Sequence, residues 1–184
     1  MKGLVNSEMF KYDTLESGTV ITSAGTYSTH LTSIAIGDTD QTRTGNSIFV
    51  RSVNIRGQLI YNATAGVTPT LTRLMVVIDT QQVSDTGMFI GNVIDFSTNG
   101  VNAHVAKSTA GRFKILYSKV LVNDSIDRTV SQFNINLPMR HHVRYNGLNN
   151  TDIQKGGIYV LAGSDQATNG PTLKFDARVS YHDN

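Results

Sequence analysis

Two stretches decide the fold: Arg43-Thr-Gly-Asn-Ser-Ile-Phe-Val-Arg-Ser-Val-Asn-Ile-Arg-Gly57 and Arg73-Leu-Met-Val-Val-Ile-Asp79. Both read as strands. The first belongs to a long strand over about 47–61, rich in β-branched residues. Phe49, Arg51, Val53, Ile55 and Leu59 fall on one face; Ser52, Asn54, Arg56 and Gln58 fall on the other. The second, within a strand over 71–79, is apolar on both faces and so belongs at the centre of a sheet covered on both sides.

Strands of the same kind fill the rest of the chain. Glu8–Asp13 is a short candidate, Tyr27–Ile36 a better one, and Arg112–Val122 a strong one. Thr129–Leu137 alternates Phe133, Ile135 and Leu137 against Asn134 and Asn136, and Pro138 is expected to end it. Residues 140–156 then read as a long polar connection. Gly157–Ala162 is a further strand. Leu173–His182 alternates Phe175, Ala177, Val179 and Tyr181 against Lys174, Asp176, Arg178 and His182. The middle, 80–110, is irregular. Gly87–Phe96 has helix-like apolar spacing, and a strand is expected near Val101–Ala106. About eight strands with polar turns read as an all-β two-sheet sandwich or barrel.

Composition agrees. The chain has 184 residues, enough for one domain with a real core, and only Glu8 and Glu16 against twelve aspartates. Glu favours helix interiors and Asp favours turns, so the acidic residues argue for β structure. Cysteine is absent, which excludes disulfides, thiolate metal sites and cysteine nucleophiles. No apolar run reaches the length of a membrane span. The net charge of +2 does not by itself demand an anionic partner. No G-x-S-x-G, Walker, G-x-G-x-x-G or H-E-x-x-H motif occurs, so the expectation is a protein that is not an enzyme.

The densest basic cluster is Arg140, His141, His142 and Arg144, placed in the loop after Pro138 and able to grip phosphate. Adjacent histidines on a strand point opposite ways, which argues against zinc. Asp38 and Asp40, Asp124 and Asp127, and Asp165 sit in turns; turn formation explains them locally, and calcium between subunits is the functional alternative. Arg51, Arg56, Lys114, Lys174 and Arg178 are charges within strands, suited to solvent, a neighbouring subunit or a nucleic-acid backbone.

The order of these pieces resembles the capsid proteins of small circular Rep-encoding single-stranded DNA viruses and the satellite tobacco necrosis virus type of coat protein. The likeness lies in Glu8–Asp13, Arg43–Gly57, Arg73–Asp79 followed by Thr80-Gln-Gln, Arg112–Tyr117, Gly157–Ala162 and Phe175–Tyr181. It implies an eight-stranded antiparallel jelly-roll β-sandwich of the viral coat type. It also implies a homo-oligomer of about sixty copies in a T=1 icosahedral shell around single-stranded DNA, or RNA. Such a protein belongs to the virion and is assembled in the nucleus or cytoplasm of the host. On this reading residues 1–26 are an N-terminal segment on the inner side of the shell and 27–184 are the jelly roll. Tyr27–Ile36, Ser47–Tyr61 and Leu71–Asp79 become strands B, C and D, E lies in the irregular middle, and F to I follow. The family's arginine-rich arm has no counterpart in 1–26, whose only cations are Lys2 and Lys11 against Glu8, Asp13 and Glu16. Lys2, Lys11, Lys174 and Arg178 are then the candidates for nucleic-acid contact. No cofactor is expected, and the sequence names no receptor or glycan.

Two other classes compete. A carbohydrate-binding or lectin-like β-sandwich would show an exposed aromatic platform, against which the absence of Trp counts. A glycoside-active sandwich would need two converging carboxylates, drawn largely from aspartates.

Overall fold

A computed structural model describes residues 8–65, 69–81 and 87–183. Among the described residues nine strands make two antiparallel sheets. In chain order they are β1 (Phe10–Val20), β2 (Tyr27–His30), β3 (Ser47–Ile60), β4 (Thr70–Asp79), β5 (Phe113–Asn123), β6 (Val130–Tyr145), β7 (Ile153–Lys155), β8 (Gly157–Ser164) and β9 (Thr172–Asp183). The five-stranded sheet runs β1-β9-β3-β6-β7 and the four-stranded sheet β2-β8-β4-β5. With short β7 set aside and the others lettered B to I, the sheets read B-I-D-G and C-H-E-F. This is the eight-stranded jelly roll. Among the described residues no helix is long and apolar enough to cross a membrane.

The sequence lettering shifts at its start. Phe10–Val20 is strand B, pairing with β9 from Phe10↔Tyr181 to Val20↔Thr172. The sheet thus includes residues that the sequence reading placed in an N-terminal segment. The candidate strand Glu8–Asp13 marks the beginning of β1, but the polar composition of the rest hid its extent to Val20, because β1 is an edge strand that buries little. Tyr27–Ile36 shortens to Tyr27–His30 and becomes C, Ser47–Ile60 becomes D, and Thr70–Asp79 becomes E. Among the described residues of the irregular middle there is no E strand. Gly87–Phe96 forms no single helix; two one-turn helices, α1 (Ile90–Val93) and α2 (Phe96–Asn99), occupy that region. The strand expected at 101–106 reduces to one bridge, Ile94↔Val105.

The inner faces of the sheets enclose Ile48, Val50, Val53, Ile55, Leu74, Val76, Ile158, Val160, Val179 and Tyr181, among others. Strands β4 and β8 are apolar on their other face as well. Met75, Val77, Tyr159 and Leu161 point away from the sandwich and are covered by Met88, Ile90, Val93, Ile94, Phe96 and Val101 of the 87–112 insertion. Leaving such side chains wet would cost about 1.5–3 kcal/mol each. Gly163 makes room for the Phe96 ring, which a β-carbon there would overlap.

Two irregularities reset the alternation read from the sequence. A bulge at Arg51, where Val50 faces Tyr181 and Ser52 faces Ser180, leaves Ile48 and Val50 inward and turns Phe49 to the same outer side as Arg51. Pro138 does not end β6, which continues to Tyr145 and pairs with β3 as far as Ser47↔Arg144. The proline sits opposite Ser52, beside the bulge, where the ladder is already broken.

The connections are held by buried polar groups. Arg43 is fully buried and meets no carboxylate. Its Nε donates to Ile34 O at 2.9 Å, Nη1 to Gly45 O at 2.6 Å and Nη2 to Gly147 O at 2.7 Å. Its guanidinium carbon lies 3.9 Å from the Tyr145 ring centroid, and burial lowers its pKa from the usual arginine value. The residue thus ties the β2–β3 connection to the β6–β7 connection. Asp79 and Arg112 form a bidentate pair at 2.7 and 3.0 Å that pins the end of the insertion to β4.

At β2, Thr32 Oγ1 accepts the Ile158 N–H at 3.1 Å, and its own proton is left for His30 Nε2 at 3.2 Å. The His30 ring stacks on Tyr159 at 4.3 Å. Burial depresses its pKa to about 4.

Replacing Arg43 with Met strands the buried carbonyl of Ile34 and the part-buried carbonyls of Gly45 and Gly147, at about 1–3 kcal/mol for a fully buried group and less for the other two. The midpoint of thermal unfolding is expected to fall by roughly 6 °C or more; an unchanged midpoint would contradict the clamp. His30 makes a separate prediction. A histidine whose folded pKa lies below its unfolded value of 6.5 contributes stability above pH 6.5 that is lost as pH falls toward 4. Thermal melts between pH 7.5 and 4.5 should fall steeply for the natural chain and less steeply for His30→Phe; identical slopes would refute the assignment.

Candidate nucleic-acid interface

Because the insertion closes the outer side of the four-stranded sheet, the outer side of the five-stranded sheet is the open one. Its residues are set by register. One row runs Lys11, Ser180, Ser52, Pro138; the next runs Asp13, Arg178, Asn54, Asn136; the next Leu15, Asp176, Arg56, Asn134. Lys174 stands beside Gln58 and Gln132. In the other direction the rows become basic and aromatic. His182, Phe49 and His142 lie side by side, and Ser47, Arg144 and Lys155 follow.

The structure thus reassigns the basic cluster. Arg140, His142 and Arg144 are not in a loop but on the outer face of β6, about 6–7 Å apart along the strand. His141 points the other way, with Nε2 2.8 Å from Gly156 O, and burial lowers its pKa. The opposed histidines match the geometry expected of neighbours in a strand. The His142 ring meets Phe49 at 4.6 Å, and the Arg51 guanidinium lies 5.6 Å from the Phe49 ring centroid.

Charge balance separates this end from the rest of the face. Arg178 is held by Asp13 through two bonds, at 2.7 and 2.6 Å, which raise its pKa and lower that of Asp13. It is a compensated cation. Lys11 and Lys174 share the face, exposed, while Lys2 lies outside the described residues. Among the described residues the ion pairs are Arg178–Asp13 and Arg112–Asp79, so Arg51, Arg140, Arg144 and Lys155 have no carboxylate partner, as Lys11, Arg56 and Lys174 have none; the basic end differs in that no Asp or Glu stands in its rows. Arg144 and Lys155 stand directly opposite each other. Like charges in that position destabilise a sheet unless an anion lies between them.

Phe49, Arg51, Lys155 and His182 escaped the sequence reading as a group with β6. The bulge reverses the parity that would have revealed Phe49, and Lys155 joins only through three-residue β7. The candidate calcium ligands stay apart within one chain. Asp124 Oδ1 accepts the N–H groups of Ile126, Asp127 and Arg128, which lowers its pKa, and Asp165 Oδ1 accepts Leu71 N–H at 3.0 Å. Asp38, Asp40 and Asp127 are exposed in turns. Among the described residues no three His, Cys, Asp or Glu gather as a metal site.

No protein-family model matches the chain, and no curated protein matches it. Among solved structures it is similar to the VP1 capsid protein of Trichodysplasia spinulosa-associated polyomavirus, determined in complex with GM1 oligosaccharide. The two share 6% identity with a TM-score of 0.23, over 97% of this chain and 94% of that one. A likeness at that score carries no argument; the jelly roll rests on strand order and register.

The basic end makes a direct prediction. In anisotropy titrations of a labelled single-stranded oligonucleotide at several salt concentrations, Arg140→Ala and Arg144→Ala should each flatten the log–log salt slope by about 0.7. Lys119→Ala, on β5 of the other sheet, should leave it unchanged. Arg144→Ala should also keep or raise the melting temperature, because it relieves the pair with Lys155. Equal losses for all three variants would contradict the site.

Proposed function

We propose that this chain is a viral coat subunit that assembles into a small icosahedral shell around a single-stranded genome. The observation that carries the reading is the jelly roll with one sheet sealed by its own insertion and the other left open, its free end lined with uncompensated cations and the tilted ring pair of Phe49 and His142. The sequence resemblance to small coat proteins supports it independently. In this reading the role is structural and not catalytic. About sixty copies form a T=1 shell within the virion, after assembly in the nucleus or cytoplasm of the host, and calcium between subunits is an optional further contact. The open face looks inward. Arg51, Arg140, Arg144 and Lys155 neutralise phosphates there, and Phe49 with His142 offers ring surface on which bases stack. Lys11 and Lys174 extend the contact along the sheet. DNA and RNA are both compatible with this chemistry.

Negative-stain microscopy of the purified chain, with its absorbance ratio at 260 and 280 nm, tests the proposal. Uniform spherical particles with an elevated ratio are expected. A stable monomer of 20.1 kDa under assembly-permissive conditions, or particles that never retain nucleic acid, would overturn it. The monomer would favour the carbohydrate-binding alternative.

A further inference from the structure

On the other side of the molecule, the β1–β2 connection and the insertion form a cleft of about 240 Å³. Ser23 and Thr26 stand on one wall, Phe89, Asn92 and Ser97 on the other, with Phe96 below. Among the described residues, none that lines it is charged. Phe89 is 45% exposed, whereas Phe96 beside it is only 5% exposed. A large ring left half in water, at the edge of a cleft walled by hydroxyls, is an amphipathic surface in search of an amphipathic ligand.

The cleft is built from fixed parts. Phe89 N–H donates to Asn92 Oδ1 at 2.8 Å, and Asn92 N–H donates back to Phe89 O at 3.0 Å, so the two residues set each other's position. Ser23 N–H is held by Gln166 O at 2.7 Å, and Ser164 N–H by Thr22 O at 3.1 Å. Gly25 adopts φ +61°, and a β-carbon there would overlap Ile90 and Phe96. The walls therefore close on each other only because this position is glycine. Asn92 spends its oxygen on Phe89, and among the described residues nothing accepts from its Nδ2 hydrogens.

We infer that this cleft binds one ring of an uncharged sugar. The C–H face of the ring would lie on Phe89, and its hydroxyls would bond Asn92 Nδ2 and the hydroxyls of Ser23, Thr26 and Ser97. The absence of charge argues against an acidic sugar or a phosphate, the ligands suited to the opposite sheet. The inference requires a folded domain and not a particle, so it stands or falls apart from the coat reading.

Saturation-transfer NMR with galactose, N-acetylgalactosamine, N-acetylglucosamine, mannose and fucose at millimolar concentration tests it. At least one sugar should show transfer, and Phe89→Ala should reduce the signal tenfold or more. Asn92→Asp keeps the acceptor for Phe89 N–H but removes the Nδ2 donors, and should do the same. Gly91→Leu, at a wall position where a β-carbon meets nothing within 4 Å, should block the cleft without loss of melting temperature. Arg144→Ala should change nothing. No transfer to any of the five sugars, or transfer that survives Phe89→Ala and Gly91→Leu in a folded protein, would overturn the inference.

Discussion

Two strands that are apolar on both faces govern the architecture. Strands β4 and β8 present Leu74, Val76, Ile158 and Val160 to the sandwich interior and Met75, Val77, Tyr159 and Leu161 to the opposite side. A sheet containing such strands cannot leave either face in water. The facing sheet covers one side and the 87–112 insertion must cover the other. The two sides of the molecule therefore differ: one is closed by packed apolar residues, and the other is an open sheet of polar and charged side chains. The proposed division of labour follows from that asymmetry.

Buried polar contacts then fix the ends. Arg43 offers its donors to three backbone carbonyls in segments far apart in sequence, a use of the planar guanidinium that lysine cannot reproduce. The Asp79–Arg112 pair fastens the insertion where it returns to β5. With both connections anchored, β6 reaches its full length and carries Arg140, His142 and Arg144 onto the open face. The like-charge pair of Arg144 and Lys155 is tolerable in a sheet secured in this way, and it makes sense chemically if an anion is the intended neighbour.

Much of the fold was legible because burial leaves a period in the sequence. The unbroken apolar run of β4 and the strict alternation of β9 declared their places and faces. The first strand was harder to read, since β1 is an edge that buries only partly; the sequence shows only the short, unlettered candidate Glu8–Asp13, which displaced the lettering of the three strands after it. Pro138 misled because its normal role as a terminator is suspended beside a bulge. The site was half legible. Arg140, His142 and Arg144 stood out as a cluster, but their common face depends on β6 continuing past the proline. Phe49 and Arg51 join them only through a bulge that composition does not announce. The cleft between the β1–β2 connection and the insertion left no sequence signal, because it is made by packing that connection against a segment of irregular structure.

The central claim is that the open face of the five-stranded sheet is the genome side of a closed shell. A cryo-electron-microscopy reconstruction of the assembled particle tests it most directly. The account predicts a closed icosahedral shell in which β1, β9, β3 and β6 face the lumen, with nucleic-acid density against Arg140, His142 and Arg144. A shell in which the 87–112 insertion faces the lumen and those residues face solvent would contradict it.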